Sequence, residues 1–331
     1  MKRDLFIFAG QSNMMGASVL EPKHILSINN SFEYKHKAKR MGESKGEFVK
    51  ASYNTGEFSY KDLNKAYGNS YSKNSKSELN VYHETCWFCP AMRNEVGPGQ
   101  VVPFNEYSES TYRSAASLPP LFAEEWEKLG HAAVFAHITK GDVSIRHFVN
   151  DDEDNGSASY FKEKIKDFFG DAEKEYVEDD LSFRPLFWLQ GENDFDMTVN
   201  EYKDYLTKLW KDVKELGVTH FLIIRTGYWE NRRTEVVMKA EEEFAKENKN
   251  CYIITRLSSY IPLCFVDKSD SYIDNPEIDL SFCRDSFYGY QNEHYNEKAF
   301  IILASICALN TDRIAKGQEP ILEKELVKEL I

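Results

Sequence analysis

Five short apolar runs, Leu5–Ala9, His131–Ile138, Pro185–Gln190, Phe221–Arg225 and Tyr252–Thr255, are separated by stretches long enough for helices. Runs this brief and continuous read as strands buried on both faces, and helical stretches between them make βαβ units with right-handed crossovers. Side-chain spacing marks the helices. Pro119-Pro120 opens one in which Phe122, Trp126 and Leu129 face inward and which Gly130 ends. Phe161, Ile165 and Phe168 mark a second, and Tyr202, Leu206, Leu209, Val213 and Leu216 a third that stops at Gly217. A fourth surrounds Val237 to Phe244, and a last runs from about Asn296 to Leu309. The expectation is an α/β fold with a parallel five-stranded sheet and helices on both faces.

One segment breaks the alternation. Between residues 17 and 118 the sequence has little sustained periodicity, contains the polar tract Asn69–Ser77 and is rich in Tyr, Phe and His. Irregular segments this long inside a domain are usually binding walls, lids or disordered chain, and the aromatic content favours an ordered wall outside the polar tract. With 331 residues, 42% of them hydrophobic, the chain can bury the core of one large domain, read here as residues 1–331 with 17–118 inserted.

The formal charge of −13 argues against a nucleic-acid face, and the basic cluster Lys35–Arg40 reads as a solvated helix surface. The longest apolar run, Ala299–Leu309, is far shorter than the roughly 20 residues of a membrane span, so no membrane partner is expected. Met1-Lys2-Arg3-Asp4 enters the first strand without a cleavable apolar leader, which points to the cytoplasm. Cys251, Cys264, Cys283 and Cys307 are spread as buried small residues. Cys86-Trp-Phe-Cys89 has suggestive spacing, but no second such pair and no closely spaced histidines accompany it. It reads as two thiols in an aromatic loop, and no metal or cofactor is expected. A homo-oligomer is left open.

Polar residues or open backbone follow three of the strands: Ser12 the first, Gly141 the second, and Gln190 to Asp194 the third. Ligands of open α/β sheets sit beyond the carboxyl ends of the strands, which is where these residues fall. A serine hydroxyl is a weak nucleophile until a base takes its proton, and His294, just before the last helix, is the candidate base. Attack on an ester makes an oxyanion that needs fixed N–H donors. The backbone N–H groups of Ser12 and Gly141 and the side-chain amide of Asn193 can supply them.

Gly10-Gln-Ser-Asn-Met14, Lys140-Gly-Asp-Val-Ser-Ile145, Trp188-Leu-Gln-Gly-Glu-Asn-Asp194 and His294-Tyr-Asn296 resemble, in order, four blocks of the SGNH hydrolase superfamily. Within it they are most similar to the sialic-acid O-acetylesterase and acetylxylan-esterase branch. The first and third blocks are specific; the second is weak by itself. The resemblance implies a flavodoxin-like three-layer α/β/α sandwich and metal-free ester hydrolysis through an acyl-serine. It also implies that Gln190 reaches the oxyanion, in addition to Asn193. Gln11, Asn13, Glu192 and Arg225 fall where they can contact substrate, although for Arg225 a structural ion pair is the stronger reading.

The family carries aspartate three residues before its histidine, and this chain has Gln291. Glutamine can orient an imidazole but brings no charge to stabilise the imidazolium. Either Ser12 and His294 act as a dyad, or Glu192, Asp285 or Glu293 replaces the missing carboxylate. His137 lies inside an apolar strand and reads as a satisfied core histidine, while His83 and His147 lie in loops near the presumed mouth. The leading reading is a serine esterase that removes O-acetyl groups from a carbohydrate, sialic acid or another acetylated sugar, with a small-molecule or oligosaccharide ester as substrate. A carbohydrate-binding protein with weakened turnover and an O-acyltransferase are the alternatives.

Overall fold

The computed structural model describes residues 3–16, 23–35, 46–53, 95–97, 100–101, 116–140, 143–151, 157–227, 234–258, 295 and 297–321. In chain order these form β1 (Arg3–Gly10), α1 (Ser12–Met15), β2 (Phe32–Lys35), β3 (Glu47–Lys50), β4 (Glu95–Gly97) and β5 (Gln100–Val101). Next come α2 (Leu118–Lys128), β6 (Ala132–Thr139), α3 (Arg146–Val149), α4 (Ser157–Glu175) and β7 (Pro185–Leu189). The last elements are α5 (Val199–Glu215), β8 (His220–Ile224), α6 (Glu235–Glu247), β9 (Cys251–Thr255) and α7 (Glu297–Ala315).

All five expected strands are present, but the sheet has seven, in the order β3-β2-β6-β1-β7-β8-β9. The correction comes from the segment read as irregular. Within it, β2 pairs parallel to β6, and β3 returns antiparallel along β2 as the edge of the sheet. All other neighbours in this sheet are parallel. β4 and β5 form a separate antiparallel pair.

β1 shows how the sheet is covered on both faces. Leu5, Ile7 and Ala9 join a cluster with Phe161, Ile165 and Phe168 of α4, Tyr202, Leu206 and Leu209 of α5, and Val237 and Phe244 of α6. Phe6 and Phe8 point the other way, into Phe122 and Trp126 of α2 and Phe300 and Leu303 of α7. Alternation along a strand sends successive side chains to opposite faces, so β1 contributes to both cores. Phe8 stacks on Phe187 with ring centroids 4.6 Å apart, while Phe122 and Phe135 meet it edge-on.

α5 begins with a reciprocal cap: the Thr198 hydroxyl accepts from Glu201 N–H, and the Glu201 carboxylate accepts from Thr198 N–H. α7 runs past Leu309 to Ala315, so the expected end was too early. Asn310, Thr311 and Asp312 are polar yet buried, and Asn310 reaches across to the Ile254 carbonyl at the end of β9. Among the described residues, no helix is long and apolar enough to cross a membrane.

Candidate active site

β6 lies on one side of β1 and β7 on the other, so the strand order reverses at β1, and the carboxyl end of such a strand is where open α/β sheets bind their ligands. Gly10 ends the strand with φ +149°, and a Cβ there would lie 2.0 Å from the Leu189 carbonyl oxygen. Only glycine lets the ends of β1 and β7 come this close. The ladder runs on to Gln11, whose N–H donates to the Leu189 carbonyl at 3.1 Å, while Lys140 N–H donates to the Gly10 carbonyl at 3.0 Å. Ser12 opens α1 at the next position and is 5% exposed.

Two side chains fix α1. Nε2 of His137 lies 2.8 Å from the Met14 carbonyl oxygen, and because a carbonyl only accepts, that nitrogen carries the proton. Burial pushes the His137 pKa down to about 4, with the Met14 bond pulling it up and the Lys35 charge adding to the fall. The ring is therefore neutral at neutral pH and serves as a donor of fixed direction. Asn13 is the second anchor. Its Nδ2 donates to Glu192 Oε1 at 2.9 Å, and its Oδ1 accepts from the Tyr295 N–H at 3.2 Å. One buried amide thus joins the turn after β1, the turn after β7 and the residue that follows His294.

The turn after β7 is held from several directions. Gly191 has φ +144°, and a Cβ there would lie 2.4 Å from Val237 Cγ1 and 2.7 Å from Thr226 Oγ1. Gln190 uses both amide hydrogens internally, donating to the Val143 carbonyl at 3.0 Å and to Asp194 Oδ2 at 2.5 Å. Asp194 in turn accepts from the Ser144 hydroxyl at 2.5 Å and from Ile145 N–H at 3.0 Å. This carboxylate ties the loop after β6 to the turn after β7. Asn193 stands in the chain between the buried acids Glu192 and Asp194 and is itself only partly buried.

Acids in this region lie in a low-dielectric setting. Burial raises the pKa of Glu192, opposed by the bond from Asn13, while the Asp194 charge adds to the rise. Burial likewise raises Asp194, against the bonds from Ser144, Gln190 and Ile145 N–H. Arg225 follows β8 and pairs with Glu242 at 2.9 Å; Arg256 meets the same carboxylate at 2.6 Å. The ion-pair reading of Arg225 accounts for that contact. Among the described residues, no group of three or more His, Cys, Asp and Glu is arranged to hold a metal ion.

The structure brings together Gln11, Ser12, Asn13, Gln190, Glu192 and Asn193 at the ends of β1 and β7. Gly141, Gln291 and His294 lie outside the described residues, as do Asp285, Glu293, His83, Cys86, Cys89, Cys264 and Cys283. His137 is 1% exposed and hydrogen-bonded, as a core histidine should be, and His147 is buried with its ring against Phe148. Sequence reasoning missed the roles of Asp194, Ser144, Tyr202, Thr226 and Glu241. Asp194 had a signal, since it closes the third block; Glu241 had none, because a glutamate in an amphipathic helix reads as solvated surface.

Fold and site together define a mostly parallel α/β protein whose polar strand-end loops converge on a serine. No family model and no curated protein sequence matches the chain. Among solved structures the chain is similar to NanS, at 10% identity with a TM-score of 0.51, covering 96% of this chain and 98% of that one. It also aligns with a protein of Arabidopsis thaliana, at 14% identity and a TM-score of 0.47, over 93% of this chain and 97% of that one. At such identities the likeness is one of fold.

Proposed function

We propose that this protein is a serine esterase of the SGNH hydrolase kind, built on a flavodoxin-like sandwich, that removes O-acetyl groups from a carbohydrate. The observation that carries the reading is the seat of Ser12: directly beyond the central strand, where the strand order reverses, between loops from both neighbouring strands. The five expected parallel strands lie in the spatial order second, first, third, fourth, fifth, which is the flavodoxin-like order, and ligands bind at its switch point. The ordered sequence blocks and the fold likeness to NanS support the same reading.

In this mechanism the Ser12 hydroxyl attacks the acetyl carbonyl while His294 takes its proton. His294 then returns the proton to the departing sugar oxygen, and water repeats the cycle on the acyl-serine. Backbone N–H groups of Ser12 and Gly141 and the Asn193 amide receive the oxyanion. Gln190 has both amide hydrogens on Val143 and Asp194, so its role is to hold the oxyanion loops together, and Asn193 is the side-chain donor. Asn13 keeps nucleophile and base in register through Tyr295. The test is hydrolysis of p-nitrophenyl acetate: wild type turns over acetate faster than longer acyl esters, and Ser12→Ala abolishes turnover while keeping the native circular dichroism spectrum. Equal turnover by Ser12→Ala ends the reading.

A further inference from the structure

Glu241 lies on α6, is 0% exposed and, among the described residues, hydrogen-bonds with its carboxyl group to Thr226 alone. Its Oε2 accepts from Thr226 N–H at 2.9 Å, and its Oε1 lies 3.2 Å from Thr226 Oγ1. The same Oγ1 lies 2.6 Å from the Gln190 carbonyl oxygen. Counting protons settles who donates. A carbonyl has no proton, so an O···O approach of 2.6 Å requires the one hydroxyl proton of Thr226 to point at Gln190. The contact between Thr226 Oγ1 and Glu241 Oε1 then needs a proton from the acid. Tyr202 cannot relieve this, since its own hydroxyl proton faces Gln190 O at 2.9 Å and Gln190 Oε1 at 3.0 Å.

We propose that Glu241 is a neutral carboxylic acid that donates to Thr226, which donates to the Gln190 carbonyl, making Glu241 a positioning residue for the Gln190–Asp194 turn. Its surroundings agree. Arg225, the cation nearest in effect, bonds to Glu242 instead, and Glu192 presents a second acid from the turn. Tyr202 of α5 and Tyr295, both neutral hydroxyls, lie within electrostatic reach of it. A buried anion with one amide and one hydroxyl for company is far costlier than a buried acid with both oxygens bonded. Burial raises the Glu241 pKa well above its ordinary 4.5, with the Thr226 bonds opposing. Ionisation would pull the Thr226 hydroxyl round to the carboxylate and strip the Gln190 carbonyl of its short bond. Because Thr226 Oγ1 and Val237 also form the bed on which Gly191 rests, the turn would lose its seat.

The sign of the pH effect follows from linkage. An acid with a raised native pKa contributes stability that is complete below the unfolded value and is lost as pH rises towards the native one. Above about pH 5, unfolding wild type releases one proton that Glu241→Gln has no means to release, so its unfolding constant climbs about tenfold per pH unit relative to that variant. Glutamine can donate with Nε2 to Thr226 Oγ1 and accept with Oε1, and so replaces the neutral acid but not an anion. The experiment measures the wild-type chain, Glu241→Gln and Glu241→Ala by urea and thermal unfolding from about pH 5 to about pH 8, and by infrared difference spectroscopy at neutral pH. Expected are a protonated-acid carbonyl band in wild type that Glu241→Gln lacks, a retained Tm in Glu241→Gln, a flattened pH slope, and a loss on the order of 5 °C in Glu241→Ala. Identical infrared spectra, or a Glu241→Gln variant as unstable as Glu241→Ala, would overturn the proposal. Neither readout depends on esterase activity, so the serine reading and this one fail separately.

Discussion

At the scale of single residues, His137 and Glu241 teach the same lesson from opposite charges. Each is buried with no counter-ion in contact among the described residues and works as a neutral donor of fixed direction, His137 to Met14 and Glu241 to Thr226. For His137 the depressed native pKa means that the unfolded chain binds more protons between about 4 and 6.5, so stability rises with pH across that window and is lost as pH falls through it. A gap of this size corresponds to about 3 kcal/mol. Urea unfolding at neutral and at acidic pH should therefore show wild type losing about that much more than His137→Gln, which keeps a donor but has no proton to gain. Equal losses would mean that the imidazole is already charged in the native state. The sequence made His137 legible as a core residue because apolar neighbours flank it in a strand. Glu241 was hidden, since the feature that makes it special is a threonine fifteen residues earlier, across a strand-to-helix connection.

At the scale of elements, the site is a junction of three turns clamped by side chains rather than by backbone ladders. Asp194 ties the turn after β7 to the loop after β6, and Asn13 ties the turn after β1 to Tyr295. Asp194→Ala would leave the Gln190 amide, the Ser144 hydroxyl and the Ile145 N–H without their shared acceptor. A loss of about 3 kcal/mol is expected, against about 1 kcal/mol for Ser144→Ala. The double variant should cost less than the two together, because both remove the bond between these residues. Full additivity in denaturant titrations would show that the Ser144 bond contributes nothing. The β1, β6, β7, β8 and β9 strands were readable because each is a continuous, largely apolar run. β2 and β3 were not, for each has four residues, Glu33 is buried beside Lys35, and β3 presents Glu47 and Lys50 to solvent at the sheet edge. β2 takes its pairing from β6 and β3 from β2, and neither owes its identity to its own pattern.

At the scale of the whole molecule, the seven-stranded sheet separates two apolar cores, and the rigid centre of both is β1. Its alternating side chains are locked between helices on either side, so the turn that follows has a fixed origin. That arrangement is what a reactive hydroxyl needs: Ser12 is placed by the sheet, oriented by His137 and Asn13, and flanked by the two loops that Asp194 joins. The candidate site was legible in the chain as polar residues following strands; the clamps that hold it were not, because they link positions remote in the chain, up to the 282 residues between Asn13 and Tyr295. The central claim is that Ser12 is a nucleophile. The most direct measurement is mass spectrometry of the intact protein and its peptides after incubation with a fluorophosphonate. One adduct per chain on the peptide carrying Ser12, absent from Ser12→Ala, is the expected result; no adduct, or an adduct that persists in Ser12→Ala, would contradict it.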